Sequence, residues 1–317
     1  MGDSDASTRR QSGRCPRAAA ALHPQPSNPY RVPRPAVISF SGGRTSAYML
    51  SKIVDAYGGR LPRQISVVFA NTGMEREETL EFVDICGRAW GVEIHWIEYL
   101  WDAPHRTRIV DFATASRNGE PFAALIDRKG FVPSQGIRYC TGFLKRDRIE
   151  AFARHRLGLK RWHSVIGLRA DEQRRVLRMR AMNCGSRTGS RAVLPLADAG
   201  VREADVQEWW MGQPFDLGIP SYAGNCDLCH LKGRAKLIRL IREDSARADW
   251  WIAQEAKVAN RTGPDGRACE SMKRFRLGET YAELKAAALS ERDLFDEAAA
   301  SAGEGNDTGS LDCLCTD

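Results

Sequence analysis

The sequence predicts an α/β protein: an open parallel sheet of about five strands in a three-layer arrangement, followed by a helical, cysteine-bearing region. Two observations carry this. From residue 36 onward, short β-branched apolar runs alternate with helical patterns, and β-α-β-α-β spacing means parallel strands joined by right-handed crossovers. Beyond about residue 212 no strand pattern recurs, while helical patterns and a Cys-bearing turn do.

The first strand is Ala36-Val-Ile38, opened by Pro35. It runs into Ser41-Gly-Gly-Arg-Thr-Ser46, and the apolar helical pattern Ala47–Tyr57 follows, stopped by Gly58-Gly59. Glycines let backbone N–H groups approach an anion, a helix N-terminus adds partial positive charge, and serine hydroxyls add donors. A phosphate is the natural guest. Gln64–Ala70 is a second buried strand, ending in Asn71-Thr-Gly-Met-Glu75; a helix from about Glu77 to Trp90 and a third strand, Val92–Tyr99, complete the unit. Ligands of such sheets bind outside the carboxyl ends of the strands, where both polar loops sit. Residues 100–137 are broken by Pro and Gly and read as a substrate lid. Then come Arg138-Tyr-Cys-Thr-Gly-Phe-Leu-Lys145, a helix to about Arg156, a fourth strand Arg161–Leu168, a fifth at Arg191–Leu196 and a helix Glu203–Met211. Helices are expected near 235–243, 246–258 and 281–289.

At 317 residues the chain can bury a large core. No apolar run spans a bilayer, and Ala18–Leu22 is too short for a signal-peptide core. Of the net charge of +7, residues 1–34 supply +4, six Arg against Asp3 and Asp5; basicity alone is weak support for nucleic acid. Nine Cys without a secretion signal point to a reducing cytoplasm and to metal or catalytic use of some of them. The expected organisation is a disordered tail over 1–34, a nucleotide-binding domain over 35–211, a helical region with a Cys-x-x-Cys site over 212–297, and a linker with a Cys-x-Cys tail over 298–317.

Four blocks stand in order: Ser41-Gly-Gly-x-x-Ser46, Asn71-Thr-Gly-x-Glu75, Arg138-x-Cys-Thr-x-x-Leu-Lys145 and Gly167-x-Arg-Ala-Asp-Glu172. Together they resemble the PAPS (phosphoadenosine phosphosulfate) reductase-like family of the PP-loop, adenine-nucleotide α-hydrolase superfamily, over about Pro35 to Trp210. The resemblance implies a Rossmann-like fold, an adenine nucleotide (ATP, PAPS or APS) as ligand, and oxidoreductase or sulfurtransferase chemistry. It puts Ser41, Gly42, Gly43, Thr45 and Ser46 on the phosphates or sulfo group, and Asn71, Thr72, Gly73 and Glu75 near the adenosine or ribose. It makes Arg138, Lys145 and Arg169, beside Gly167, cations for phosphate charge. Asp171-Glu172 is read as partner to Arg174 or Arg175, with Mg²⁺ as the weaker alternative. Many PP-loop enzymes carry Asp where Thr45 stands. Thioredoxin-dependent PAPS reductases end in Glu-Cys-Gly-Leu-His, and this chain in Asp312-Cys-Leu-Cys-Thr-Asp317.

Cys226-Asp-Leu-Cys229 lets one loop offer two thiolates to one centre. Cys313 and Cys315, or Cys140, would complete it as a [4Fe–4S] cluster or a zinc site; a redox dithiol is the alternative. A centre using Cys140, the candidate catalytic thiol, would sit beside the nucleotide. Cys86 reads as core, Cys15 as inert, and Cys184 and Cys269 have no assignment. The expected partners are a small nucleotide, a thiol or persulfide donor protein and a nucleic-acid substrate, with no membrane. The competing reading is a non-catalytic nucleotide- or nucleic-acid-binding protein with a structural zinc site.

Overall fold

The computed structural model describes residues 28–183, 189–260 and 272–290. Its centre is a six-stranded sheet in the order β4-β3-β2-β1-β5-β6. The strands are β1 (Ala36–Phe40), β2 (Ile65–Asn71), β3 (Ile94–Tyr99), β4 (Thr107–Val110), β5 (Trp162–Val165) and β6 (Ser190–Val193). All neighbours pair in parallel except β3 and β4. The fold is α/β and Rossmann-like. The parallel strands follow the expected runs closely. The antiparallel β4 is a sixth strand where the sequence reads as a broken lid: four residues, three half-buried and Ile109 exposed, too short for a periodic signal, folded back onto β3.

Alternation along the strands makes two apolar faces. Ile38, Phe40, Val67, Phe69 and Trp96 join the larger core with α1 (Arg44–Ala56), α2 (Glu77–Ala89) and α3 (Glu120–Lys129). Val37, Val68, Ala70 and Ile97 face Phe152 and Ala153 on the other side. That second layer is a helix with π-helical ends: Thr141–Arg146, α4 (Asp147–Ala151), then Phe152–Arg156. Next come α5 (Gln173–Asn183), the short α6 (Pro195–Asp198) and α7 (Glu203–Met211). The helices α8 (Arg234–Glu243), α9 (Arg247–Ala259) and α10 (Tyr281–Leu289) share the larger core through Leu237, Trp251 and Tyr281.

The chain leaves β1 toward β2 and β3, and later returns to the other side of β1 as β5. The gap between the β1 and β5 ends is therefore the topological switch point, where open α/β sheets hold ligands. At the N-terminal side, Val32 is buried and Tyr57 donates its hydroxyl to the Val32 carbonyl at 2.9 Å. Residues 28–34 thus pack on α1, where the sequence points to a disordered tail through residue 34; residues 1–27 lie outside the described part. So do Cys15, Cys184, Cys269, Cys313 and Cys315. Among the described residues, no helix is long and apolar enough to cross a membrane.

Candidate functional site

The loop after β1 is held by its own hydroxyls. Ser46 Oγ accepts from the Ser41 backbone N–H (3.2 Å) and the Ser41 hydroxyl (2.9 Å), and donates to the Gly43 carbonyl at 2.9 Å. Gly42 has φ +79°, and a Cβ there would meet Thr79 Cγ2 at 2.8 Å, so only glycine fits. Gly43 is the N-cap of α1 and offers no side-chain acceptor, which leaves first-turn N–H groups of α1 for an anion.

The second loop turns inward. Glu75 Oε2 accepts from the Thr72 N–H and hydroxyl, both at 2.8 Å, and Lys145 Nζ stands 3.3 Å from Oε1. The Glu75 side chain is fully buried. Asn71 does not reach the cavity: its amide donates to Glu98 (2.6 Å) and to the Ser116 carbonyl (2.8 Å). Glu98, itself buried, also accepts from Ser116 and Arg108. Asn71 thus ties β2 to β3 and the loop beyond β4. Gly73 packs its φ +78° turn against Gly119 and Pro121.

The cysteine loop is clamped to both. Cys226 and Glu75 form an isolated backbone bridge, and the Asp227 N–H donates to the Met74 carbonyl at 2.8 Å. The Asn225 amide donates to the Ser41 carbonyl at 3.1 Å. Leu228, between the two cysteines, takes a left-handed φ of +43°, rare for a leucine. Its carbonyl accepts from the buried Tyr281 hydroxyl at 2.5 Å. Lys232 Nζ caps the Cys226 carbonyl at 2.6 Å, and Arg276 bonds the carbonyls of His230 and Lys232. The Cys226 thiol is pushed up by the hydrogen bond to Cys229, by burial and by Glu75, with Lys145 opposing. His230 is pushed down to about 3, chiefly by burial, then by Arg276, Arg138 and Lys232, so its ring is neutral.

These three loops surround a cavity of about 770 Å³ at the switch point. Of the sequence-predicted site residues, Thr45, Thr72, Cys140, Lys145, Arg169, Cys226 and Cys229 line it. Ser41, Gly42, Gly43, Ser46 and Glu75 are not on its wall, although Glu75 bonds the lining residues Thr72 and Lys145, and Gly167 packs on Ser46 of α1 with ordinary contact at 3.5 Å. Arg138 bonds the Gln135 carbonyl and is not on the wall. Arg169 reaches Thr45 Oγ1 at 3.1 Å and is flanked by Asp171 and Glu203, while Glu172 takes Arg175. The wall also holds residues that motif reading passed over: Arg44, gripped by Asp216; Thr141; Asn225; and Lys232. Asn225 had a signal in its place directly before Cys226, and Arg44 in its place inside the Ser41–Ser46 loop. Lys145 sits on a π-helical turn, a geometry frequent at functional sites.

The two thiols of Cys226 and Cys229 hydrogen-bond one another and share the cavity with Cys140. Soft thiolates at this spacing suit zinc or an iron–sulfur centre. Among the described residues, no three His, Cys, Asp or Glu side chains gather closely enough to bind one ion. The pair therefore supplies two ligands. Cys86 is buried on α2, with its thiol pushed up by burial alone, and takes no part.

No protein-family model matches the chain. It is 29% identical over 214 residues to an uncharacterised nin region protein of Escherichia phage lambda, covering 63% of this chain and 67% of that protein. It is 27% identical over 122 residues to an uncharacterised protein of Methanocaldococcus jannaschii, covering 38% of this chain and only 20% of that relative. Among solved structures, the U34-tRNA thiolase NcsA of Methanococcus maripaludis, with its [4Fe-4S] cluster, matches at a TM-score of 0.32 and 9% identity, covering 79% of each chain. A likeness that distant carries no argument about this chain.

Proposed function

We propose that this protein is a PAPS reductase-like enzyme that binds an adenine nucleotide at the switch point and uses cavity thiols in sulfur-transfer or sulfonucleotide chemistry. One observation carries the reading: the anion-ready N-terminus of α1, the cations Lys145 and Arg169, and three cysteines meet around one cavity. Residues 35–211 act as the nucleotide-binding unit, and residues 212–297 bring the cysteines to it.

Thr45, Thr72, Arg169 and the first turn of α1 hold phosphate or sulfo oxygens, with Arg44 and Lys145 adding positive charge. Fixed cations aimed at a group that gains negative charge favour its transfer. Cys140 stands on the same wall as a nucleophile, a thiol active as its thiolate. Cys226 and Cys229 would hold an iron–sulfur or zinc centre; a single zinc ion would be completed by Cys313 and Cys315, because Cys140 does not gather with the pair around one ion, and only a larger cluster would draw on Cys140. Such a centre supplies thiolate activation or an electron. Mg²⁺ would enter with the nucleotide phosphates.

The test is titration calorimetry of the full chain with ATP and with PAPS. Arg169→Ala combined with Thr45→Ala is expected to weaken binding at least tenfold; unchanged affinity would refute the assignment. Iron and zinc analysis after anaerobic purification reads the cysteine centre separately.

A further inference from the structure

We infer that the outer face of α5 is a docking track for single-stranded nucleic acid, leading a strand to the mouth of the cavity. This deepens the proposed function by naming the acceptor class, and rests on that reading only for what the strand meets there.

Over its 11 residues, Gln173–Asn183, α5 carries Arg174, Arg175, Arg178 and Arg180 and no carboxylate. Its inner side is firmly docked. Val176 is buried with Leu168 and Leu194, Met179 packs against them, and the Asn183 side chain bonds both the N–H and C=O of Ala192 on β6. Arg175 and Arg180 are engaged by Glu172 and Asp198, and Arg178 has a partner too while staying exposed. What faces outward is Arg174, Leu177, Arg178, Ala181 and Met182, all exposed. Their spacing of three and four places them on one stripe. Leu177 is 66% and Met182 54% exposed, the kind of apolar surface that marks an interaction site when it clusters.

The stripe begins at the cavity. Gln173, Arg174 and Arg175 belong to its wall, and that wall bears seven Lys or Arg against three carboxylates, Asp171, Glu172 and Glu203. At 1.5 Å per residue the helix carries the cationic surface about 16 Å away from the mouth. A free nucleotide has no use for Arg178 or Met182. An extended polyanion with apolar faces does: phosphates pair with the guanidiniums, and unstacked bases cover Leu177 and Met182. An acidic peptide would satisfy the arginines but leave the apolar residues bare.

The test is fluorescence anisotropy of the full chain with short labelled oligothymidylate and oligouridylate, without added nucleotide, between about 50 and 200 mM salt. Arg174→Glu with Arg178→Glu should weaken both at least tenfold and reduce the salt slope by about 1.4, near 0.7 for each phosphate no longer paired. Arg174→Gln with Arg178→Gln, milder for the helix, should show a smaller loss in the same direction. Arg60→Glu with Arg63→Glu is the control of equal charge, exposed in the turn before β2, at the amino ends of the strands and away from the cavity. The inference fails if control and α5 variants lose affinity equally, if neither oligomer binds the wild-type chain, or if α5 dependence appears only with anionic vesicles. Tighter binding of oligouridylate would identify RNA, and equal binding a backbone-reading track for either polymer. ATP calorimetry on Arg178→Glu alone, which lies off the cavity wall, keeps failure here distinct from failure of the nucleotide reading.

Discussion

Lys145 Nζ lies 3.3 Å from Glu75 Oε1, a carboxylate with no exposure to solvent. The other oxygen is satisfied by Thr72. Removing the cation would leave a buried charge without a partner, which costs about 3–5 kcal/mol. Lys145→Met is therefore expected to lower stability by that order in urea unfolding, whereas Lys145→Met with Glu75→Gln recovers most of the loss. If the single variant is as stable as the parent, the pair is not a structural support of the site.

Gly42 makes a second prediction. Its left-handed backbone and the 2.8 Å approach to Thr79 leave no room for a methyl group. Gly42→Ala should cost at least about 1–2 kcal/mol from the backbone alone and abolish ATP binding by displacing the loop. Gly167→Ala, with its nearest neighbour at 3.5 Å, should change neither by much.

Arg44 and Asp216 give a pH signature. The Arg44 hydrogen bond holds the Asp216 carboxyl below its ordinary 3.8. A group depressed in the folded state stabilises above its unfolded value and loses that contribution as pH falls through the folded one. Thermal unfolding should show Asp216→Asn less stable than the parent near neutral pH, the gap closing below about pH 3.8. The pair is partly exposed, so the gap is at most about 1 kcal/mol.

Tyr281 fixes the left-handed Leu228 between the two cysteines. Tyr281→Phe removes one hydrogen bond, worth about 1 kcal/mol. It should weaken zinc or iron retention while leaving both thiols in place, read by metal content after dialysis against a chelator. Cys229→Ser should abolish retention outright.

Much of this architecture was legible in the chain. Val37-Ile38 and Val67-Val68 are β-branched runs bounded by glycine and polar turns, and they pair in the sheet as such runs should. Helix Glu203–Met211 also has the boundaries its pattern predicts. Strand β4 was not legible, because its four residues owe their conformation to pairing with β3 rather than to any period of their own. In the site, spacing singled out the Ser41–Ser46 loop and Cys226-x-x-Cys229, and both border the cavity. Direction of side chains was beyond it. Nothing local distinguishes an Asn71 that faces a ligand from one that bonds a buried Glu98 27 residues away. The separation of 184 positions between Ser41 and Asn225 hides their contact equally well.

That contact has a mechanical meaning. The Asn225 amide holds the Ser41–Ser46 loop, and the backbone of the next residue, Cys226, is bridged to Glu75 of the neighbouring loop. The three turns are coupled like links of one short chain, without slack between them. A nucleotide that shifts the Ser41–Ser46 loop must tug on the thiols of the middle link. The alkylation rate of Cys226 and Cys229 would then serve as a built-in gauge of occupancy at the Ser41–Ser46 loop.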